Sequence, residues 1–188
     1  MQSFYISNQN NANLIDFEKF LIKHNQKVDT NFDINFYYRN EITSSFYKNK
    51  NTIYYNLGCL IYNNKFNKEG LESIHNTLSN KNLKDILVSD NLRGQFCLFI
   101  IENNNVSIIT DKLGYYGVYL YKKGKRIALS NSIVALAKNN DVTLNKIGVA
   151  QYLSENYKYL TYACCDQNIF SEITYLKPGH IYNFNSDT

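Results

Sequence analysis

The sequence predicts an α+β domain made mainly of antiparallel strands. Three observations carry this. Extended apolar runs outnumber helical ones, short polar turns join them, and the few helical patterns come in separate blocks. The 188 residues are enough to bury a core, and 44% hydrophobic against 19% charged is a globular balance. No internal repeat, low-complexity linker or composition break marks a boundary, so a single domain over 1–188 is expected. Asn is abundant (29 residues), so a single Asn carries little weight as a signal.

Taken in order, Asp16 to His24 places Phe17, Phe20 and Leu21 on one helical face. Asn51 to Tyr62 reads as extended. Lys68 to Leu78 sets Leu71, Ile74 and Leu78 at helical spacing, with Asn67 as its N-cap. Gly94 to Ile101 is apolar at nearly every position, which predicts a central strand covered on both faces, with Cys97 buried and unreactive. Val106 to Thr110, Gly117 to Lys122 and Arg126 to Ser130 continue as strands. Between the last two, Tyr121-Lys122-Lys123-Gly124-Lys125-Arg126 reads as a solvated hairpin tip. Ser132 to Lys138 predicts a short helix capped by Ser130 or Asn131. Thr143 predicts the cap of another, with Leu144, Ile147, Ala150 and Leu153 on one face. His180 to Phe184 reads as the last strand.

Composition narrows the function. A net charge of +4 on scattered lysines gives no basic stripe for nucleic acid. No apolar run approaches the roughly 20 residues of a membrane span, and Met1 to Ile6 lacks the pattern of a signal peptide. The cysteines Cys59, Cys97, Cys164 and Cys165 show no CxxC spacing, and the histidines are only His24, His75 and His180. No metal site and no cofactor are expected, and the chain reads as reduced and cytoplasmic, with Cys59 and Cys97 as small core hydrophobes. There is no GxGxxG, GxxxxGK[ST], HExxH or GxSxG motif. Asp90 and Asp111 each precede a turn that ends at Gly, so a structural role is expected of both.

The order of motifs then resembles a known family. Gly58-Cys59-Leu60-Ile61-Tyr62-Asn63 is followed by Leu92-Arg93-Gly94-Gln95-Phe96, Thr110-Asp111-Lys112-Leu113-Gly114, Val118-Tyr119-Leu120 and Ala128-Leu129-Ser130-Asn131. Ile133-Val134-Ala135-Leu136, Thr161 to Ile173 and Leu176-Lys177-Pro178-Gly179-His180 come after these. Over roughly residues 53 to 184 the series is similar to the class II glutamine amidotransferase domain of the asparagine synthetase family. The resemblance implies a four-layer αββα sandwich of two antiparallel sheets, of the N-terminal nucleophile hydrolase type. It also implies glutamine hydrolysis by an N-terminal Cys whose α-amine serves as base.

At the site positions the sequence departs from that pattern. Gln2 stands where the nucleophile belongs, and Ser3 lies one residue too late. The family's Asn-Gly oxyanion pair reads Leu57-Gly58, which leaves only the Gly58 amide as donor. Asn56 is one residue off. Arg39 is the one candidate for the arginine that holds the substrate carboxylate, and its surroundings do not match. The expectation is therefore a vestigial pocket of Leu57, Gly58, Gln2 and Arg39 with no catalytic residue. Such a domain would be a scaffold for an ATP-using synthetase domain on the same or a separate chain. The alternative is an active glutaminase using Ser3 or Cys59 after processing. The aromatic segment Tyr157 to Tyr162 is the expected surface for the synthetase or for a second copy of the chain. No S-G-G-x-D-S synthetase loop occurs in the sequence.

Overall fold

The computed structural model describes residues 4–8, 21–27, 33–39, 44–102, 105–153 and 168–185. They fall into two compact units, neither continuous in sequence: 1–26 with 33–40 and 118–176, and 27–32 with 41–117 and 177–188.

In chain order the strands are β1 (Phe4–Ser7), β2 (Leu21–Lys27), β3 (Asp33–Arg39), β4 (Ser44–Asn49), β5 (Thr52–Tyr62) and β6 (Lys65–Phe66). Helices α1 (Asn67–Leu78) and α2 (Leu83–Val88) follow, then β7 (Leu92–Glu102), β8 (Asn105–Thr110), β9 (Tyr119–Lys123) and β10 (Arg126–Ser130). The chain continues through α3 (Ile133–Asn139), α4 (Lys146–Leu153), β11 (Ile173–Tyr175) and β12 (Ile181–Asn185). The first unit holds a sheet of order β11-β9-β10-β1-β3-β2. The second holds β12-β8-β7-β5-β4, with β6 added on β5. Every register given is antiparallel, which bears out the α+β class with two antiparallel sheets.

In the second unit β7 is the central strand, as its apolar sequence requires. Leu92, Phe96, Leu98 and Ile100 join Tyr54, Leu60 and Tyr62 of β5, Leu71 and Ile74 of α1, and Ile86 of α2 in one core. The alternate residues Cys97, Phe99 and Ile101 are equally buried, so both faces of the strand are covered. In the first unit Tyr5, Tyr121, Ala128, Ala135, Leu136 and Ile173 form the core. The hairpin tip is as expected: Lys123 faces Arg126 across Gly124-Lys125, and Lys122 to Arg126 are exposed. Lys123 also pairs with Asp141 at 2.5 Å.

Several elements depart from expectation. Leu21 to His24 lies in β2 rather than a helix, because pairing beside β3 overrides a weak periodicity. Asp16 to Phe20 lies outside the described residues, as do Gln2, Ser3, Tyr157 to Tyr162, Cys164 and Cys165. Asn67 is the first residue of α1 rather than its cap, and its Oδ1 accepts from the Leu60 N–H at 3.3 Å. Ser132 caps α3, accepting from the Ala135 N–H at 3.3 Å. The Ser130 hydroxyl instead donates to the Phe4 carbonyl, and the Asn131 Oδ1 accepts from the Phe4 N–H. Thr143 does not cap α4 because its N–H and hydroxyl both donate to Glu172, while Asn145 Oδ1 accepts from the Ile147 N–H. Of the residues read as one face of this helix, Leu144, Ile147 and Leu153 are exposed; Gly148 is the buried position. Cys59, expected in the core, is exposed. The reason lies in the two glycines beside it, at the candidate site.

Candidate functional site

β5 and β7 pair without interruption from Thr52↔Glu102 to Tyr62↔Leu92. Leu57 sits opposite Cys97, and Gly58 opposite Phe96. Two left-handed glycines then bracket the Cys59↔Gln95 pair, Gly58 at φ +89° and Gly94 at φ +117°. A Cβ on Gly58 would lie 2.2 Å from the Gln95 carbonyl oxygen, and one on Gly94 2.1 Å from that of Cys59. Only glycines let the two backbones approach this closely. Past this crossing Cys59, Arg93, Gly94 and Gln95 are all exposed, which places the Cys59 thiol at the surface rather than in the core.

On its other edge, β5 is paired by β4 as far as Leu57 and by β6 at Ile61 and Tyr62. Among the described residues no strand covers 58–60 there, and two side-chain amides stand in. Asn56 Nδ2 donates to the Gly58 carbonyl at 2.9 Å, and Asn67 Oδ1 accepts from Leu60 as noted. Asn56 is fully buried and its amide nitrogen is committed to Gly58.

The wall beside Gly58 is the loop after β8, and Asp111 organises it. This residue is fully buried. Its Oδ1 accepts from the N–H groups of Leu113 and Tyr115, each at 3.1 Å, and its Oδ2 from that of Tyr116 at 2.8 Å. Its carbonyl accepts from Gly114 and Gly179, and its N–H donates to the Phe96 carbonyl. Next to it, the Thr110 hydroxyl donates to the Lys177 carbonyl at 2.7 Å and accepts from the His180 N–H at 3.2 Å. Asp111 is thus the turn residue the sequence suggests, acting as a carboxylate that satisfies three backbone donors. The clamped loop leaves Leu113 and Tyr115 in solvent, 72% and 68% exposed. It lays the Tyr116 ring against Gly58, 3.1 Å from where a Cβ would stand.

Burial pushes the Tyr116 phenol far up, with Cys97 and Tyr55 adding to the shift. It also raises the Cys97 thiol well above its ordinary range, with the Asp111 charge adding to it. Cys97 is therefore an enclosed thiol, and the protonated form is not the nucleophile. No group of three or more His, Cys, Asp or Glu among the described residues is placed to hold a metal.

Of the residues singled out from sequence, Leu57 and Gly58 are adjacent on β5. Leu57 is buried, with its neighbours across the ladder as given. Arg39 ends β3 in the other unit, and Gln2 lies outside the described residues. Sequence reasoning missed two participants, Tyr116 and Gly94. A Gly within an apolar strand is a signal for close backbone approach, and it was available at both 58 and 94. Nothing local signals Tyr116. The glutamine amidotransferase domain family matches residues 49–188. No curated protein matches the chain.

Proposed function

The chain belongs to the glutamine amidotransferase domain family, and from that premise we propose that it is a degenerate member without glutaminase activity, of the asparagine synthetase type. In this reading it serves as a scaffold or partner module for an ATP-using, amide-forming synthetase domain on the same or another chain. The observation that carries the reading is Leu57-Gly58, with a buried Leu where the chemistry needs a side-chain donor. Glutamine hydrolysis needs a nucleophile, a base, oxyanion donors and a clamp on the amino-acid end. Gln2 offers no nucleophile, and the Asn56 amide is engaged with Gly58. The Tyr116 ring stands beside Gly58, 3.1 Å from where a Cβ would be.

The test is ammonia release from glutamine by the purified chain, with capture of an electrophilic glutamine analogue read by intact mass. Neither is expected. Gln2→Cys alone stays inactive, and adding Leu57→Asn does not rescue it, because groups acting as a unit are not restored singly. Ammonia release above background, abolished by changing one residue, overturns the proposal.

The exposed Cys59 thiol favours a second reading, a glutaminase revealed by processing. Cleavage before Cys59 would cut an 11-residue strand that is paired with β7 along its whole length. We therefore rank it below the first. An intact mass retaining Met1 and Gln2 excludes it, together with its Ser3 counterpart. A cytoplasmic setting fits the free thiols of Cys59 and Cys97. Among the described residues no helix is long and apolar enough to cross a membrane.

A further inference from the structure

A groove of about 890 Å³ lies in the second unit, at the end of β5 remote from Gly58, within the size range of small-molecule sites. Tyr54, four residues before Gly58, is about 14 Å from it along the strand. The groove runs between the end of α1, the start of α2 and the hairpin ends of β5 and β7.

Two rings, Tyr54 and His75, line one wall, and Tyr47 packs against both. Tyr47, Tyr54 and His75 lie with centroids 5.5 to 5.9 Å apart. Both His75 nitrogens are engaged. Asn49 Nδ2 donates to Nε2 at 2.5 Å, so the ring proton is on Nδ1, and Nδ1 donates to the Tyr54 oxygen at 3.0 Å. The Tyr54 hydroxyl hydrogen is thereby left over as a donor, and among the described residues His75 is the hydrogen-bond partner of that hydroxyl. Burial, with the charge of Glu102 and then Tyr47, pushes the phenol up to about 12, so it stays protonated and able to donate.

Glu102 is the one formally charged side chain in the lining, and Leu78, Leu83 and Ile100 supply apolar surface. No Lys or Arg is present to receive a carboxylate, so a free amino acid such as glutamine is a poor match. We propose that this groove binds a small organic amine, with its ammonium at Glu102, an acceptor oxygen at the Tyr54 hydroxyl and an apolar body over Leu78, Leu83 and Ile100. The site is independent of the Leu57-Gly58 pocket, and it stands whether or not the chain hydrolyses glutamine.

The probes are 2-phenoxyethylamine, its neutral counterpart 2-phenoxyethanol and its anionic counterpart phenoxyacetate, titrated into the whole chain. The readout is the imidazole NMR signal of His75, one of only three histidines. The amine is expected to shift the His75 signal saturably with a Kd below about 10 mM. The alcohol should bind about threefold to fivefold more weakly, as for an exposed charge pair, and phenoxyacetate should give no saturation. Glu102 is exposed, so Glu102→Gln should leave the other histidine signals in place and abolish the preference for the amine. A shift that does not saturate, equal affinity for amine and alcohol, saturation by phenoxyacetate, or a preference that survives Glu102→Gln overturns the proposal.

Discussion

Replacing Gly58 by Ala tests how far the chain depends on the backbone crossing at Cys59 and Gln95. Two costs add. The residue sits at φ +89°, where an L side chain costs about 1–2 kcal/mol. The new methyl would also stand 2.2 Å from the Gln95 carbonyl oxygen, well inside ordinary contact. That oxygen is backbone and cannot rotate away, whereas the Tyr116 ring at 3.1 Å can yield by tenths of an ångström. Relief means parting β5 from β7 by about 1 Å and weakening roughly two ladder hydrogen bonds, each worth about 1 kcal/mol net. The expected loss is about 3–4 kcal/mol. Urea unfolding reads it, and at a slope of about 2–3 kcal/mol/M the midpoint falls by roughly 1–2 M. Gly124→Ala is the control: its φ is +58° and nothing lies within 4 Å of the added carbon, so it loses only about 1 kcal/mol. If Gly58→Ala is no more destabilised than Gly124→Ala, the close crossing does not hold β5 to β7.

Asp111→Asn removes a buried carboxylate that accepts from three backbone N–H groups and turns an NH₂ toward one of them. A loss of about 2–4 kcal/mol in urea unfolding is expected, and a loss under about 1 kcal/mol would contradict the clamp. Gly148→Ala places a methyl 2.0 Å from the Asn168 carbonyl oxygen, which forces α4 off the adjacent backbone. The expected loss is about 2–3 kcal/mol, with hydrogen exchange rising at Asn145 and Val149. Leu57→Asn buries an unpartnered amide at a position opposite Cys97 and should cost about 3 kcal/mol by the same measurement. Alkaline pH should destabilise the fold. Cys97, Tyr54 and Tyr116 are held protonated above their ordinary values of 9.0, 10.0 and 10.0, so above about pH 9 the unfolded chain releases protons that the folded chain keeps. Stability is then full below about pH 9 and falls as pH rises toward 12, and a urea midpoint flat across that window would refute it.

Strands β5, β7, β8 and β10 were legible because each is an apolar run bounded by turn residues. The missed strands lack that signature. β1 has four residues, β6 has two, and β4 reads Ser-Ser-Phe-Tyr-Lys-Asn with little alternation. Helix α2 spans six residues and is announced only by its Asn82–Asp85 capping box. Discounting Asn as mere composition hid real information. Asn63 and Asn64 in the β5–β6 turn, and Asn67 just after β6, all take positive φ, where Asn and Gly are tolerated best. Leu57 and Gly58 could be found because the order of motifs is local in sequence. Tyr116 could not, because only the pairing of β7 with β5 and β8 brings its loop to Gly58.

The pattern of what is kept and what is absent supports the proposed scaffold role. Gly58 and Gly94 permit a backbone crossing, Asp111 satisfies three loop amides, and Gly179 donates to the Asp111 carbonyl. Each of these positions lies in the stretch that matches the family, 49–188, and each has a structural duty that loss of chemistry would leave in force. In the proposed reading the departures, Gln2 and Leu57, fall where the family's residue would serve the reaction itself. At 57 the replacement even suits the fold, because an apolar side chain there is buried without an amide to satisfy. A chain held to its fold but released from hydrolysis would keep the first set and lose the second. A working glutaminase with a displaced nucleophile would still need a donor to pair with the Gly58 amide. Asn56, the residue before Leu57, is buried and donates to the Gly58 carbonyl. The close pairing of β5 with β7 requires a glycine at 58 whatever the chemistry, so its presence is compatible with the proposed scaffold role.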